Sequence, residues 1–103
     1  MRAMSAHIQL DRAFVADFCQ RNRIRKLALF GSVLTERFRP DSDVDVLVEF
    51  EEEARVGYLA MARMEIELSE QFGRKVDLRT PAELSRYFRS EVVQSAEVQY
   101  SAA

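Results

Sequence analysis

The stretch Asp43-Val-Asp-Val-Leu-Val-Glu-Phe50 limits the fold more than any other part of the chain. Val44, Val46, Val48 and Phe50 alternate with Asp43, Asp45, Leu47 and Glu49, which is the period of a β-strand. Such a strand sets both aspartates on one face, roughly 6.5–7 Å apart along the backbone. Two ionised carboxylates that close repel each other. A hard divalent cation such as Mg²⁺ neutralises them, because it prefers oxygen ligands. Asp41-x-Asp43-x-Asp45 with Glu52 also mimics a calcium loop, but that loop needs glycine at its sixth position and Val46 stands there. The plain structural alternative is a pair of aspartates that merely solubilise an edge strand.

The rest of the chain reads as alternating helices and strands. Asp11 to Asn22 is predicted helical, with Leu10, Phe14 and Phe18 at a spacing of four and Val15 and Cys19 beside them. Cys19 is read as a core thiol, and the single histidine, His7, as part of a frayed terminus. Ile24 to Phe30 is a short apolar strand ending at Gly31-Ser32, and Val33 to Phe38 is read as opening a short helix. Arg39-Pro-Asp-Ser42 is turn chemistry, and Glu51 to Glu53 is a solvated acidic loop. Gly57 to Phe72 is helical, stopped by Gly73; Lys75 to Arg79 is a strand. Thr80-Pro-Ala-Glu83 is a capping box that opens a last helix carrying Leu84, Phe88, Val92, Ala96 and Tyr100 along one side. The expected fold class is α/β (α+β): one domain over residues 1–103, a small mixed β-sheet flanked by helices.

Two further features join the aspartate pair. Asp77 lies between Val76 and Leu78, so it points away from their face; if its strand pairs beside Val44–Phe50, three carboxylates share one cluster. Gly31-Ser32 follows a strand and is read as opening a helix, where glycine lets a phosphate approach the backbone and the free N–H groups of the helix start and the serine hydroxyl bind its oxygens.

The order Leu27-Ala-Leu-Phe-Gly-Ser32, then Pro40-Asp-Ser-Asp43-Val-Asp45-Val-Leu-Val-Glu-Phe50, then Gly73-Arg-Lys-Val-Asp77-Leu78 resembles the nucleotidyltransferases of the polymerase-beta superfamily. The resemblance runs from about Phe14 to Tyr100. It is narrower for the minimal nucleotidyltransferases, which are often encoded beside a small helical HEPT-domain protein, the first acting as antitoxin and the second as toxin. The resemblance implies that Gly31 and Ser32 hold triphosphate oxygens, that Asp43 and Asp45 ligate two Mg²⁺ ions, and that Asp77 ligates the catalytic one. It implies AMP transfer from ATP to a hydroxyl, in particular a tyrosine of the HEPT partner. One departure stands out. Many members follow Gly-Ser with Arg, a small residue and Gly, whereas this chain has Val33-Leu-Thr-Glu36. Arg37 and Arg39 are then the candidate triphosphate ligands. Two other functions fit the same residues less closely: a module that silences a helical partner by binding alone, and transfer to an antibiotic or other small molecule. The second usually needs a further helical domain to shape the acceptor pocket.

Composition narrows the partners. The net charge of −2 gives no general attraction to nucleic acid or to an anionic membrane. Arg21, Arg23, Arg25 and Lys26 form a local basic run, read as a solvated helix end rather than a surface for a partner or RNA. One cysteine excludes an intrachain disulfide, and no apolar stretch approaches the ~20 residues of a membrane helix. A cytoplasmic protein is expected. A chain of 103 residues buries a modest share of its surface, so a partner or self-association is expected too.

Overall fold

Asp11 starts the first helix by capping it: its carboxylate accepts the N–H groups of Ala13 (2.9 Å) and Phe14 (3.3 Å). The computed structural model describes residue 8 and residues 10–102, so His7 lies outside the described residues. Helix α1 (Arg12–Arg21) buries Val15, Phe18 and Cys19. Arg23, at φ 57°, turns the chain straight into strand β1 (Ile24–Phe30). A 3₁₀ turn over Gly31–Leu34 follows, then strand β2 (Val44–Phe50), helix α2 (Tyr58–Phe72) and strand β3 (Val76–Arg79). A second 3₁₀ turn (Pro81–Glu83), helix α3 (Arg89–Ser95) and strand β4 (Glu97–Ser101) complete the order.

The sheet runs β3-β2-β1-β4. β1 is antiparallel to both β2 and β4, while β2 and β3 are parallel, so the sheet is mixed as expected. Ile24, Leu27 and Leu29 all reach the core although they do not alternate strictly; the register shift between Ile24 and Lys26 restores the parity. They join Val44, Val46, Val48, Val76 and Leu78 under Val15, Phe18, Met64 and Leu68 of the two long helices. Asp45, Leu47 and Ala28 belong to the opposite face.

Strand β3 lies at an edge, and α2 closes it. The Val76 N–H donates to Ser69 Oγ (2.9 Å) and the Leu78 N–H to a Glu65 carboxylate oxygen (2.8 Å). The spacing explains the fit: four residues of helix rise ~6 Å and two residues of strand ~6.6 Å. Two side chains one helical turn apart therefore reach alternate N–H groups of an antiparallel neighbour. The next outward N–H, that of Thr80, donates to Glu83 (2.9 Å). Three successive donors that would leave a sticky edge are satisfied within the chain.

Two expectations fail locally. Val33–Phe38 does not open a helix: the turn begins at Gly31 and ends at Thr35, whose backbone is extended (φ −127°, ψ 169°). The continuous helix from Leu84 to Tyr100 is absent as well. Thr80–Glu83 caps only a single turn, Leu84 is extended (ψ 149°), and Ala96 (ψ 143°) ends the short α3 before β4. The reason lies in β1. Its Leu27, Ala28 and Leu29 are buried, so its far edge would leave backbone donors and acceptors unpaired away from water. Pairing of Leu27 with Tyr100, Ala28 with Val98 and Leu29 with Glu97 satisfies them, and this outweighs a helical pattern.

Candidate active site

The alternation of β2 puts Val44 and Val46 in the core and turns Asp45 to the other face, with Asp43 one step before the strand on that same side. The parallel register pairs Asp45 directly with Asp77. Val76 and Leu78 are core residues, so Asp77 shares the face of Asp45. The three sequence-predicted carboxylates thus gather on one side of the sheet.

Gly31 meets them from β1. Phe30 is the register partner of Asp45, and Gly31 follows at φ +80°, a conformation that L side chains rarely adopt. A Cβ at this position would collide with the Asp45 carboxylate. Glycine is required twice over, by backbone angle and by close approach.

The electrostatics reflect this crowding. Desolvation by burial pushes the Asp45 carboxyl above its ordinary value, and the charges of Asp77 and Asp43 push it further; Arg79 opposes them. Arg79 also grips Asp77 at two points: Nε to one carboxylate oxygen and a terminal nitrogen to the other, both 3.2 Å. Nothing in the sequence reading singled out Arg79. Only the register, which brings a strand-end arginine back onto the acid two residues before it, makes it visible.

Among the described residues, no three histidine, cysteine or acidic side chains are already drawn together closely enough to hold a metal ion. The donor set nonetheless suits a divalent cation. It is all oxygen, it repels itself, and burial and the two neighbouring charges oppose the ionisation of Asp45.

Two cavities are lined by residues of this region, one by the Gly-Ser turn and the other by Asp77. One of about 700 Å³ is lined by Phe30, Gly31, Ser32, Arg37 and, from α3, Val92 and Ser95. Arg37 therefore shares a cleft with the Gly-Ser turn. Arg39 does not line it; its N–H donates to Ser42 Oγ and its carbonyl accepts from Arg74. The other cavity, about 650 Å³, lies between β3 and the start of α2, with Asp77, Arg79, Glu83, Glu65 and Tyr58 in its wall.

Arg21 bonds Asp17 (2.6 Å) and Glu67 (2.7 Å), Arg23 bonds Glu51 (3.1 Å), and Arg25 bonds Glu49 (2.7 Å). Their charge is spent within the chain, in keeping with a solvated helix end. Among the described residues no helix is long and apolar enough to cross a membrane.

A mixed four-stranded sheet with its two long helices packed on one face, and on the other a Gly-Ser turn set against gathered acids, define the class: a small α/β domain. Residues 12–98 match the nucleotidyltransferase domain, and the chain belongs to that family. It is 33% identical over 80 residues to MJ1217 of Methanocaldococcus jannaschii, provisionally assigned as a protein adenylyltransferase; the match covers 78% of this chain and 80% of that one. A solved structure provisionally assigned as a minimal nucleotidyltransferase is 34% identical, with TM-score 0.68, over 82% of this chain and 85% of the other. A crystal structure of a toxin-antitoxin with AMP-PNP superimposes with TM-score 0.72 at 19% identity, covering 90% and 75%, and shares the fold. The chain is a nucleotidyltransferase of the minimal type.

Proposed function

We propose that this nucleotidyltransferase moves AMP from ATP to a hydroxyl of a helical partner protein, a tyrosine of a HEPT-type toxin, breaking the α–β phosphoanhydride bond and releasing pyrophosphate, and so acts as its antitoxin. The observation that carries the reading is the pairing of Asp45 with Asp77 on one face, beside Gly31. The provisional assignment of MJ1217 supports a protein acceptor, and the AMP-PNP-bound toxin-antitoxin supports an adenine nucleotide and a toxin partner.

In this reading Asp43, Asp45 and Asp77 hold two Mg²⁺ ions. The bound ions would supply charge neutralisation at the α-phosphate and acidify the attacking hydroxyl. Gly31 and Ser32 bind triphosphate oxygens through the backbone N–H groups of the turn and the Ser32 hydroxyl. Arg37, in the same cleft, takes the place of the arginine missing after Gly-Ser and adds a planar cation that grips phosphate oxygens. Asp77 lines the other cavity and accepts the acceptor's proton at its carboxylate. Nucleotide on the Gly31 side and acceptor on the Asp77 side suit an in-line attack, which needs entering and leaving groups on opposite sides of phosphorus. Tyr58 (86% exposed) and Leu59 (72% exposed), at the acceptor side, offer apolar contact to a partner.

Incubation with Mg²⁺, labelled ATP and the product of the adjacent gene tests the reading. Label on the neighbour's tyrosine that is lost in the Asp43→Ala, Asp45→Ala variant supports it. Full neutralisation of the neighbour by that variant, with no label from the wild type, replaces it with silencing by binding alone.

A further inference from the structure

The Arg79–Asp77 pair is the unexpected part of the site. Arg79 spends two guanidinium nitrogens on the acid that the nucleotidyltransferase reading above needs as a metal ligand. Both side chains are partly open to solvent, 46% for Arg79 and 33% for Asp77. Exchange of partners is therefore cheap, because a half-exposed ion pair holds by about 1 kcal/mol or less.

A second partner stands ready. Glu83 lines the same cavity as Arg79 and Asp77. One oxygen of its carboxylate, Oε1, is committed to Thr80, accepting the N–H at 2.9 Å and facing the hydroxyl at 3.3 Å. That bond fixes the carboxylate beside the β3 terminus and leaves Oε2 free of it. Glu83 also acts electrostatically on Arg79 from where it stands.

We propose that Arg79 is a displaceable internal counter-ion: it holds Asp77 while no metal is bound and transfers to Glu83 when a divalent cation takes Asp77. Arg79 is thus a positioning residue that acts through Asp77. It keeps Asp77 from being repelled by Asp45 and Asp43, and it sets the affinity of the metal site by competing for the acid. Glu83 lowers the cost of release by receiving the guanidinium. The inference rests on the metal-site reading of Asp43, Asp45 and Asp77.

Titration of the nucleotide-free full chain with Mn²⁺, followed by the loss of the free-ion electron paramagnetic resonance signal, separates the two levels. Arg79→Gln is expected to bind Mn²⁺ about two- to fivefold more tightly than wild type, the factor released when an exposed ion pair no longer competes. A variant that merely loosened the fold would bind less tightly. Glu83→Gln keeps an acceptor for the Thr80 N–H and is expected to bind about two- to fivefold more weakly, since Arg79 then has no second partner. In the Arg79→Gln background the same Glu83 change is expected to do nothing. Equal or weaker binding by Arg79→Gln, or a Glu83 effect that persists without Arg79, overturns the counter-ion proposal while the metal site stands, provided Asp45→Asn abolishes binding. Absence of Mn²⁺ binding in wild type and Arg79→Gln alike removes the metal site itself, and the exchange with it.

Discussion

The Asp45 carboxylate lies over Gly31, so close that a β-carbon on residue 31 has no room. Strand β1 delivers the glycine and strand β2 the acid, and the antiparallel register that pairs Phe30 with Asp45 brings them together. The Gly31-Ser32 turn and the acidic face are therefore mechanically linked: a change at one is felt at the other.

Gly31→Ala separates that linkage from simple backbone strain. Gly73 also has a positive φ (+73°), yet nothing lies within 4 Å of a Cβ built there. Gly73→Ala is expected to cost about 1 kcal/mol from conformation alone, and Gly31→Ala about 1–2 kcal/mol more because Asp45 must move as well. Urea denaturation of the two variants measures the difference. Mn²⁺ binding should fall in Gly31→Ala and stay unchanged in Gly73→Ala.

Asp45 makes the metal-free fold weaker at neutral pH. Its carboxyl is raised by burial first and by Asp77 and Asp43 next, so the folded state holds this proton more tightly than the unfolded chain does. Stability conferred by the protonated form is present below the ordinary carboxylate value and falls as pH rises through the raised one. Asp45→Asn removes that penalty. Thermal unfolding without metal should show the variant more stable than wild type at pH 7, with the advantage shrinking toward pH 4. Mg²⁺ should raise the melting temperature of wild type and leave the variant's unchanged.

The capped edge of β3 predicts a split between two substitutions at one site. Glu65→Ala leaves the partly buried Leu78 N–H without its acceptor and should cost about 1–3 kcal/mol. Glu65→Gln keeps an oxygen there and should cost well under half as much. Equal losses in chemical denaturation would show that the bond to Leu78 is not what Glu65 contributes.

Cys19 should be inert in the native protein. It is fully buried in the α1 face, and burial pushes its thiol up to about 12. Thiolate is the reactive form, so labelling by a disulfide reagent at pH 8 should proceed only at the rate of opening or unfolding and accelerate greatly in denaturant. Between pH 9 and 12 the unfolded chain ionises this thiol while the folded one does not, so stability should decline across that range.

Much of the site was legible before the fold. Asp43 and Asp45 share a face because strand geometry alternates, and the valines between them name the buried side. Gly73 after a helix acts locally and behaved as read, while Asp11, read as the first residue of its helix, caps it from just outside. The failures were non-local. Leu84 to Tyr100 carries a helical stripe, but its last four residues were claimed by the open edge of β1, some 70 positions upstream. Arg39 sits near the Gly-Ser turn in sequence, yet Arg37 is the one that shares its cleft.

The chain's own letters determined which face of β2 is acidic and where the two long helices begin and end, because each follows from a period or a cap spanning a few residues. Only the tertiary structure decided that β3 lies parallel to β2 with Asp77 beside Asp45, that Glu65 and Ser69 seal the edge, and that Arg79 returns onto Asp77. Strand order and register are set by burial and backbone pairing summed over the whole sheet, and no local pattern encodes that sum.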